Sequence, residues 1–177
     1  MARNVELKAR VADLDGIRAR LAAMPWLGEH VLIQTDTFFC VKRGRLKLRE
    51  FDDGTGELIY YERADQPGAK LSRYDRMPCA DPRIMRRSLA SALGVRGVVK
   101  KRRQVILIGN TRVHLDEVEG LGSFVELEVV LDPRESIAAA ERTAADLLQT
   151  LAIPDGDLVS GAYVDLLDRQ PGRTQVP

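Results

Sequence analysis

Alternation of charged and apolar side chains constrains this chain more than any other feature, because only a strand places every second residue on one face. The pattern is clearest from Arg112 to Leu131, where two alternating runs are joined by the turn Gly120-Leu121-Gly122. Glu126 and Glu128 share one face of the second run, about 7 Å apart. Two carboxylates at that spacing suit a divalent cation, which prefers hard oxygen ligands, although a solvated acidic strand face would show the same pattern.

The first of these two runs places Arg112, His114 and Asp116 on one face. His114 has the chemistry of a general base. A lone histidine beside a turn is more often structural, so a structural role is the preferred interpretation for this residue.

Ionic residues two apart recur in three further predicted strands, and three of the four resulting pairs carry a single sign of charge. Cations dominate two of the four strands, whereas a solvent-facing sheet usually mixes both signs. The four pairs are Glu6/Lys8, Lys47/Arg49, Lys101/Arg103 and Glu126/Glu128. The sequence leaves undecided whether Lys101 and Arg103 or the alternating pair Lys100 and Arg102 occupy the inner face, because a bulge would exchange the two pairs.

An inward-facing charged surface requires compensation, since buried charges are costly when they are unpaired. A polyphosphate with bound Mg²⁺ would compensate it: arginine forks and lysines take phosphate oxygens, and carboxylates hold the metal. The alternative is an amphipathic sheet whose charged face lies in water.

Amphipathic helices are predicted between the strands. Asp13, Asp81 and Asp132 each stand where an N-cap is expected, and a last short helix is predicted over 160–167. Seven or eight strands joined mostly by hairpin-like turns favour an α+β, mainly β fold, an antiparallel sheet or barrel rather than a parallel doubly wound one.

Composition narrows the partners and the compartment. The 177 residues are 45% hydrophobic and 30% charged with a net charge of +1, so bulk charge predicts neither a nucleic acid nor a membrane partner. Cys40 and Cys79 are too few for a disulfide framework or a cysteine-type zinc site. With no apolar run long enough for a bilayer and no signal-peptide core, we expect a cytoplasmic protein.

The ordered motifs resemble those of the CYTH superfamily, the triphosphate tunnel metalloenzymes. Asn4-Val-Glu-Leu-Lys8 is similar to the Glu-x-Glu-x-Lys signature that opens that family, although Asn4 replaces the first acid. The resemblance continues in order through the segments Gln34–Phe39, Arg45–Arg49, Tyr60–Arg63, Lys101–Arg103, His114–Glu128 and Tyr163–Leu167.

The resemblance implies an eight-stranded antiparallel barrel with helices outside, a tunnel through it, and a bound triphosphate. The composition of the tail, 169–177, predicts that it is flexible, and the resemblance implies one domain over 1–168. It assigns phosphate binding to Lys8, Lys47, Arg49, Arg63, Lys101, Arg103 and Arg112. It assigns Mg²⁺ or Mn²⁺ to Glu6, Asp116, Glu126 and Glu128, and catalysis to Glu6, Lys8 and Arg49.

Three functions are compatible with these residues. The favoured one is a metal-dependent phosphohydrolase acting on an inorganic, thiamine or nucleoside triphosphate. A class IV-type adenylyl cyclase, converting ATP to cyclic AMP and pyrophosphate, is the alternative that the run Asp116–Gly122 resembles. A polyphosphate- or nucleotide-binding protein without turnover is the third, because Asn4 removes a charge from the signature. The oligomeric state is open, with a homodimer among the alternatives.

Overall fold

Eight strands form the body of the chain within residues 1–66 and 68–170, the part that the computed structural model describes. They are β1 (Ala2–Arg10), β2 (Gly28–Phe39), β3 (Arg45–Phe51), β4 (Gly56–Arg63), β5 (Lys70–Cys79), β6 (Val95–Ile108), β7 (Thr111–Val118) and β8 (Gly122–Val130). They close into one antiparallel barrel in the order β1-β5-β4-β3-β2-β6-β7-β8, with β1 also pairing β8. The predicted mainly β fold and the closed barrel are both confirmed.

Four α-helices accompany the barrel in the described residues: α1 (Leu14–Ala22), α2 (Pro82–Leu93), α3 (Ile137–Thr150) and α4 (Tyr163–Asp168). The first two begin as predicted, because Asp13 accepts a hydrogen bond from the Gly16 amide at 2.9 Å and Asp81 from the Ile84 amide at 3.0 Å.

The predicted N-cap at Asp132 is wrong. Ser136 caps α3 instead, with its hydroxyl accepting from the Ala139 amide at 3.1 Å. Asp132 accepts from the Arg134 amide at 3.0 Å and so closes a turn before the helix. An aspartate followed by proline suits a turn as well as a helix start, and here the nearer serine determines where the helix begins.

The apolar strand faces point outward and are covered by helices. Leu7 of β1 and Leu127 of β8 are buried with Leu21 of α1 and Leu148 of α3 in one core. Complete burial of a leucine such as Leu127 stabilises the fold by about 1.5–3 kcal/mol. A smaller core joins α2 to β3, and the charged faces are left to the barrel interior.

Strand β5 continues to Cys79 and so contains a proline, Pro78. Its pairing with β1 ends at the Ala2–Tyr74 pair, while its pairing with β4 continues. Pro78 therefore lies on a free edge, where the missing proline N–H costs no ladder hydrogen bond.

The carboxyl-terminal segment ends the described structure close to the barrel. The side chain of Gln170 donates a hydrogen bond to the Gly120 carbonyl at 2.6 Å. The predicted flexible tail, 169–177, lies outside the described residues from position 171 onward, so its flexibility stays a prediction, as does the domain boundary. Within the described ranges, none of the helices combines the length and the apolar character that crossing a membrane needs.

Candidate active site

The barrel encloses a charged cavity of about 340 Å³. Each of the eight strands contributes inward-facing side chains, and Tyr163 of α4 and the preceding Ala162 complete the lining. Cations outnumber carboxylates on the wall. The cations are Lys8, Lys47, Arg49, Arg63, Arg76, Lys101, Arg103 and Arg112; the carboxylates are Glu6, Asp36, Glu57, Glu126 and Glu128. A positive interior of this kind is suited to a polyanion.

The period-two alternation of β6 places Lys101 and Arg103 inside the barrel, both at least nine-tenths buried. Lys100 and Arg102 point outward and are exposed. The register shift of the β2–β6 pair lies at Phe38/Phe39, past Lys100, so it does not disturb the parity of this segment. Lys101 and Arg103, and not Lys100 and Arg102, are therefore the cation pair of β6 that faces the barrel interior.

Asp36 is the centre of a buried ionic cluster on the inner faces of β2, β3 and β6. Its carboxylate accepts two hydrogen bonds from Arg49, at 2.7 and 2.8 Å, and one from Lys47 at 2.8 Å. Lys101 lies 3.5 Å from the same carboxylate. Burial acts to raise the pKa of Asp36, but Arg49, Lys47 and Lys101 hold it well below its usual range. Asp36 is therefore ionised and partly neutralises three cations.

Two buried lysines of the cavity, Lys101 and Lys47, have lowered pKa values. Burial and the neighbouring Arg103 lower the pKa of Lys101 to about 7. Burial and Arg49 lower the pKa of Lys47 to about 8. Both ammonium groups lack sufficient negative charge around them, a deficit that bound phosphate oxygens would remove.

Arg103 joins two acidic side chains. It donates two hydrogen bonds to Asp116, at 2.6 and 2.5 Å, and one to Glu126 at 2.7 Å. Asp116 also accepts from the Tyr163 hydroxyl at 2.7 Å and is fully buried. Its oxygens are thus engaged by Arg103 and Tyr163, and Asp116 is not among the residues that line the cavity.

Glu126 and Glu128 project into the cavity beside His114. One ligand atom from each of the three residues lies within 4.8 Å of the others. The Nδ1 atom of His114 is 3.6 Å from Glu126 Oε2 and 3.8 Å from Glu128 Oε1. Burial, with Arg103 nearby, lowers the pKa of His114, so the ring is neutral at neutral pH. Two ionised carboxylates and a neutral imidazole fit a divalent cation.

The opening signature occupies the inner face of β1. Glu6 accepts a hydrogen bond from Arg63, and Lys8 lies 3.5 Å from Glu126. Asn4 is 3% exposed, and its Oδ1 finds no hydrogen-bond partner among the described residues. The asparagine that replaces the first acid of the signature therefore still presents an oxygen inside the barrel.

Helix α4 lies against one end of the barrel. The Tyr163 ring stacks edge-on against Phe124, with 5.0 Å between centroids, and the Lys8 ammonium is 3.9 Å from the centre of the same ring. A Cβ on Gly97 would lie 2.8 Å from Val164, so α4 approaches β6 closely because Gly97 has no side chain. Asp165 anchors the helix by accepting from Arg45 and Arg96.

The opposite end carries a more exposed part of the lining. His30 and Arg76 are exposed there, and Leu32, Phe51 and Val105 add apolar surface next to the charged groups. A ligand with a polyanionic part and a less polar part would find both surfaces in one cavity.

All seven residues predicted to bind phosphate line the cavity, as do Glu6, Glu126 and Glu128 of the predicted metal set. Asp116 is separated from them by its bonds to Arg103 and Tyr163. The roles of these residues stay predictions.

Sequence reasoning gave no role to Asp36 or Tyr163 and preferred a structural role for His114. The alternation on β2 places Asp36 on one face with Gln34, and this pattern could have indicated Asp36 as a candidate site residue. No local signal places Tyr163 in the barrel, because it comes from a separate helix.

Comparison with known proteins agrees with this architecture. The CYTH domain profile matches residues 2–163. The adenylate cyclase CyaB of Aeromonas hydrophila is 26% identical over 180 residues, covering 93% of this chain and 88% of that protein.

Two solved structures share the fold. The PH1012 protein of Pyrococcus horikoshii superposes with a TM-score of 0.79 at 22% identity, covering 92% of this chain and 98% of its own. The Hippeastrum protein HpAC1, described as having a dominant triphosphatase activity, gives a TM-score of 0.62 at 16% identity, with 90% and 91% covered. With the profile spanning almost the whole barrel, the chain belongs to the CYTH domain family.

Proposed function

We propose that this chain is a metal-dependent phosphohydrolase that binds the triphosphate group of its substrate inside the barrel. The observation that carries the proposal is the convergence of the seven predicted phosphate-binding cations and the Glu126–Glu128 pair on one cavity. Family membership supports an enzyme acting on a triphosphate, and the dominant triphosphatase activity of HpAC1 supports hydrolysis.

The cations supply most of the transition-state stabilisation in this proposal. Arg49 and Arg103 would offer phosphate oxygens the N–H groups that their carboxylate partners do not engage, while Lys47 and Lys101 act as point charges. Water attacks the terminal phosphorus in line, and the cations stabilise negative charge on the transferring group and on the leaving diphosphate. A divalent cation, Mg²⁺ or Mn²⁺, held by Glu126 and Glu128 would supply Lewis-acid polarisation of a phosphoryl oxygen.

An adenylyl cyclase is the second candidate, favoured by the similarity to CyaB over 93% of the chain. The same cations would hold ATP, but the ribose 3′-hydroxyl would attack the α-phosphorus and pyrophosphate would leave. The apolar surface of Leu32, Phe51 and Val105 at the exposed end supports an organic triphosphate for either reaction.

Product analysis separates the candidates. The purified chain is incubated with ATP, inorganic triphosphate and thiamine triphosphate, with Mg²⁺ or Mn²⁺, and products are resolved by chromatography and phosphorus NMR. Orthophosphate release supports the hydrolase, and cyclic AMP with pyrophosphate establishes the cyclase instead. Triphosphate binding without turnover indicates a binding protein and makes Asn4→Glu the next variant. If the chain shows no triphosphate binding and no turnover, the proposal is refuted.

Paired variants control this experiment. Glu126→Gln combined with Glu128→Gln should abolish metal-dependent turnover while the thermal unfolding transition persists. Glu117→Gln is the matched control, since Glu117 lies on β7 but is exposed and pairs with Arg102 outside the barrel. Full activity in the double variant would remove both glutamates from the metal site.

Two further expectations belong to the same proposal. We place the protein in the cytoplasm, and the free thiols of Cys40 and Cys79 are compatible with a reducing compartment. The homodimer stays a prediction that size-exclusion chromatography with light scattering would test.

A further inference from the structure

The most informative unexplained atom in the cavity is Nδ1 of His114. The side chain is 5% exposed, and Nδ1 finds no hydrogen-bond partner within residues 1–66 and 68–170. Buried polar atoms are normally paired, and leaving one unpaired costs stability. A structural histidine in a core would be expected to satisfy this nitrogen, so its position needs another explanation.

The surroundings of Nδ1 are those of a ligand set. His114 on β7 is directly opposite Glu126 on β8, and Glu128 follows on the same inner face. Nδ1 is 3.6 Å from Glu126 Oε2 and 3.8 Å from Glu128 Oε1, too far for strong hydrogen bonds. Two ligands of one ion, each about 2.1 Å from it, lie about 3.0–3.5 Å apart. Shifts of a few tenths of an ångström would therefore bring Nδ1 into that range of both carboxylate oxygens, and the three candidate ligand atoms already lie within 4.8 Å of one another.

We propose that His114 Nδ1 is a direct ligand of the divalent cation, together with Glu126 and Glu128, and that this nitrogen makes the site prefer Mn²⁺ to Mg²⁺. The inference rests on the proposed metal-dependent function and adds the identity of one ligand and the choice of ion.

Neighbouring arginines leave the carboxylates able to bind. Arg112 engages Oε2 of Glu128, and Oε1 is the oxygen directed towards His114. Arg103 donates to Oε2 of Glu126, but a carboxylate oxygen has a second lone pair. Such arginines orient the ligands and limit repulsion between the two carboxylates, as outer groups do in many metal sites.

The imidazole nitrogen of His114 favours Mn²⁺ over Mg²⁺ at this site. Mg²⁺ takes oxygen ligands and retains several waters, so an imidazole contributes little to its binding. First-row transition ions accept imidazole and carboxylate together, and Mn²⁺ is the one that also suits an oxygen-rich site. Loss of the nitrogen should therefore reduce Mn²⁺ affinity much more than Mg²⁺ affinity.

Mn²⁺ binding to the metal-free full chain tests the proposal directly. Free Mn²⁺ is followed by continuous-wave EPR, Mg²⁺ affinity is obtained by competition, and pulsed EPR detects ¹⁴N coupled to bound Mn²⁺. The wild type should show ¹⁴N coupling. In His114→Asn the coupling should disappear and Mn²⁺ affinity should fall at least about tenfold, with a smaller change for Mg²⁺.

His30→Asn is the matched control, because His30 is the other of the two histidines in the chain and is exposed at the cavity lining. It should behave as the wild type. If His114→Asn does not fold, His114→Gln replaces it, and a ¹⁴N signal that persists in His30→Asn assigns the coupling to His114, the other of the two histidines.

Two outcomes overturn the inference: Mn²⁺ bound to the wild type without ¹⁴N coupling, or an unchanged ratio of Mn²⁺ to Mg²⁺ affinity in the folded variant. A wild type that binds neither ion would instead refute the metal-dependent function itself. The failure of the inference and the failure of the proposed function are therefore distinguishable.

Discussion

Replacing Asp36 with asparagine should destabilise the ligand-free chain by about 3–5 kcal/mol at pH 6, the usual cost of removing one partner of a buried ion pair. Asparagine retains the size of the side chain but removes the charge that three cations share. Arg49 loses a bidentate partner at 2.7 and 2.8 Å, and Lys47 loses an acceptor at 2.8 Å. Little of this loss can be recovered from solvent, because Asp36 is 1% exposed.

The cost should depend on pH because two of the three cations can lose their protons. Lys101 and Lys47 have pKa values of about 7 and about 8 in the fold, below the ordinary 10.5. At pH 9 both are largely neutral in the native state, so Asp36 compensates mainly Arg49. The loss on substitution should then fall to about 2 kcal/mol.

Urea denaturation at pH 6 and pH 9, followed by circular dichroism, measures these free energies of unfolding. Asp15→Asn is the control, since Asp15 forms an exposed ion pair with Arg18 that should contribute at most about 1 kcal/mol. Inorganic triphosphate should bind Asp36→Asn more tightly than the wild type, because the carboxylate no longer competes for Arg49. A loss below about 1 kcal/mol at both pH values, or weaker triphosphate binding, would refute the reasoning.

Three further outcomes are expected. Lys47→Ala should weaken inorganic triphosphate binding about 10- to 100-fold and orthophosphate binding less, measured by calorimetry. Equal weakening of both ligands would contradict the assignment of Lys47 to triphosphate binding. Triphosphate binding at pH 7.5 should take up protons, because bound phosphate restores the proton of Lys101. Triphosphate affinity should therefore fall as the pH rises to 9. Binding enthalpies that are identical in buffers of different ionisation enthalpy would exclude this proton uptake. Gly97→Ala should cost about 1–3 kcal/mol by displacing Val164, whereas Gly156→Ala, with open space around it, should not.

Much of the candidate site was predictable because alternation is a local property. The period of β3 predicts that Lys47 and Arg49 share one face, and that of β8 predicts the same for Glu126 and Glu128. The face of β6 on which Lys101 lies could not be predicted, since it depends on where a bulge occurs along the strand. The register shift at Phe38/Phe39 is a property of the pair β2–β6 rather than of either strand alone.

Helix boundaries likewise include some that the local sequence predicts and some that it does not. Asp81 caps its helix as expected, because capping needs only the amide three residues later. Asp132 has the same local sequence but closes a turn, and Ser136 takes its place. Both are good capping residues, so their local preferences do not separate them.

The sequence by itself determined which side chains share a face, because a strand repeats every two residues whatever surrounds it. It left open whether the charged faces would line a barrel interior or lie in water, and the closure of the barrel decided this. Only the tertiary structure decided the partners inside. Asp36 reaches Arg49 and Lys101 through two different strand pairs, His114 reaches Glu126 through the β7–β8 register, and Tyr163 reaches Asp116 from a helix 47 positions away. These pairings arise from register and barrel closure, which depend on contacts between residues distant along the chain.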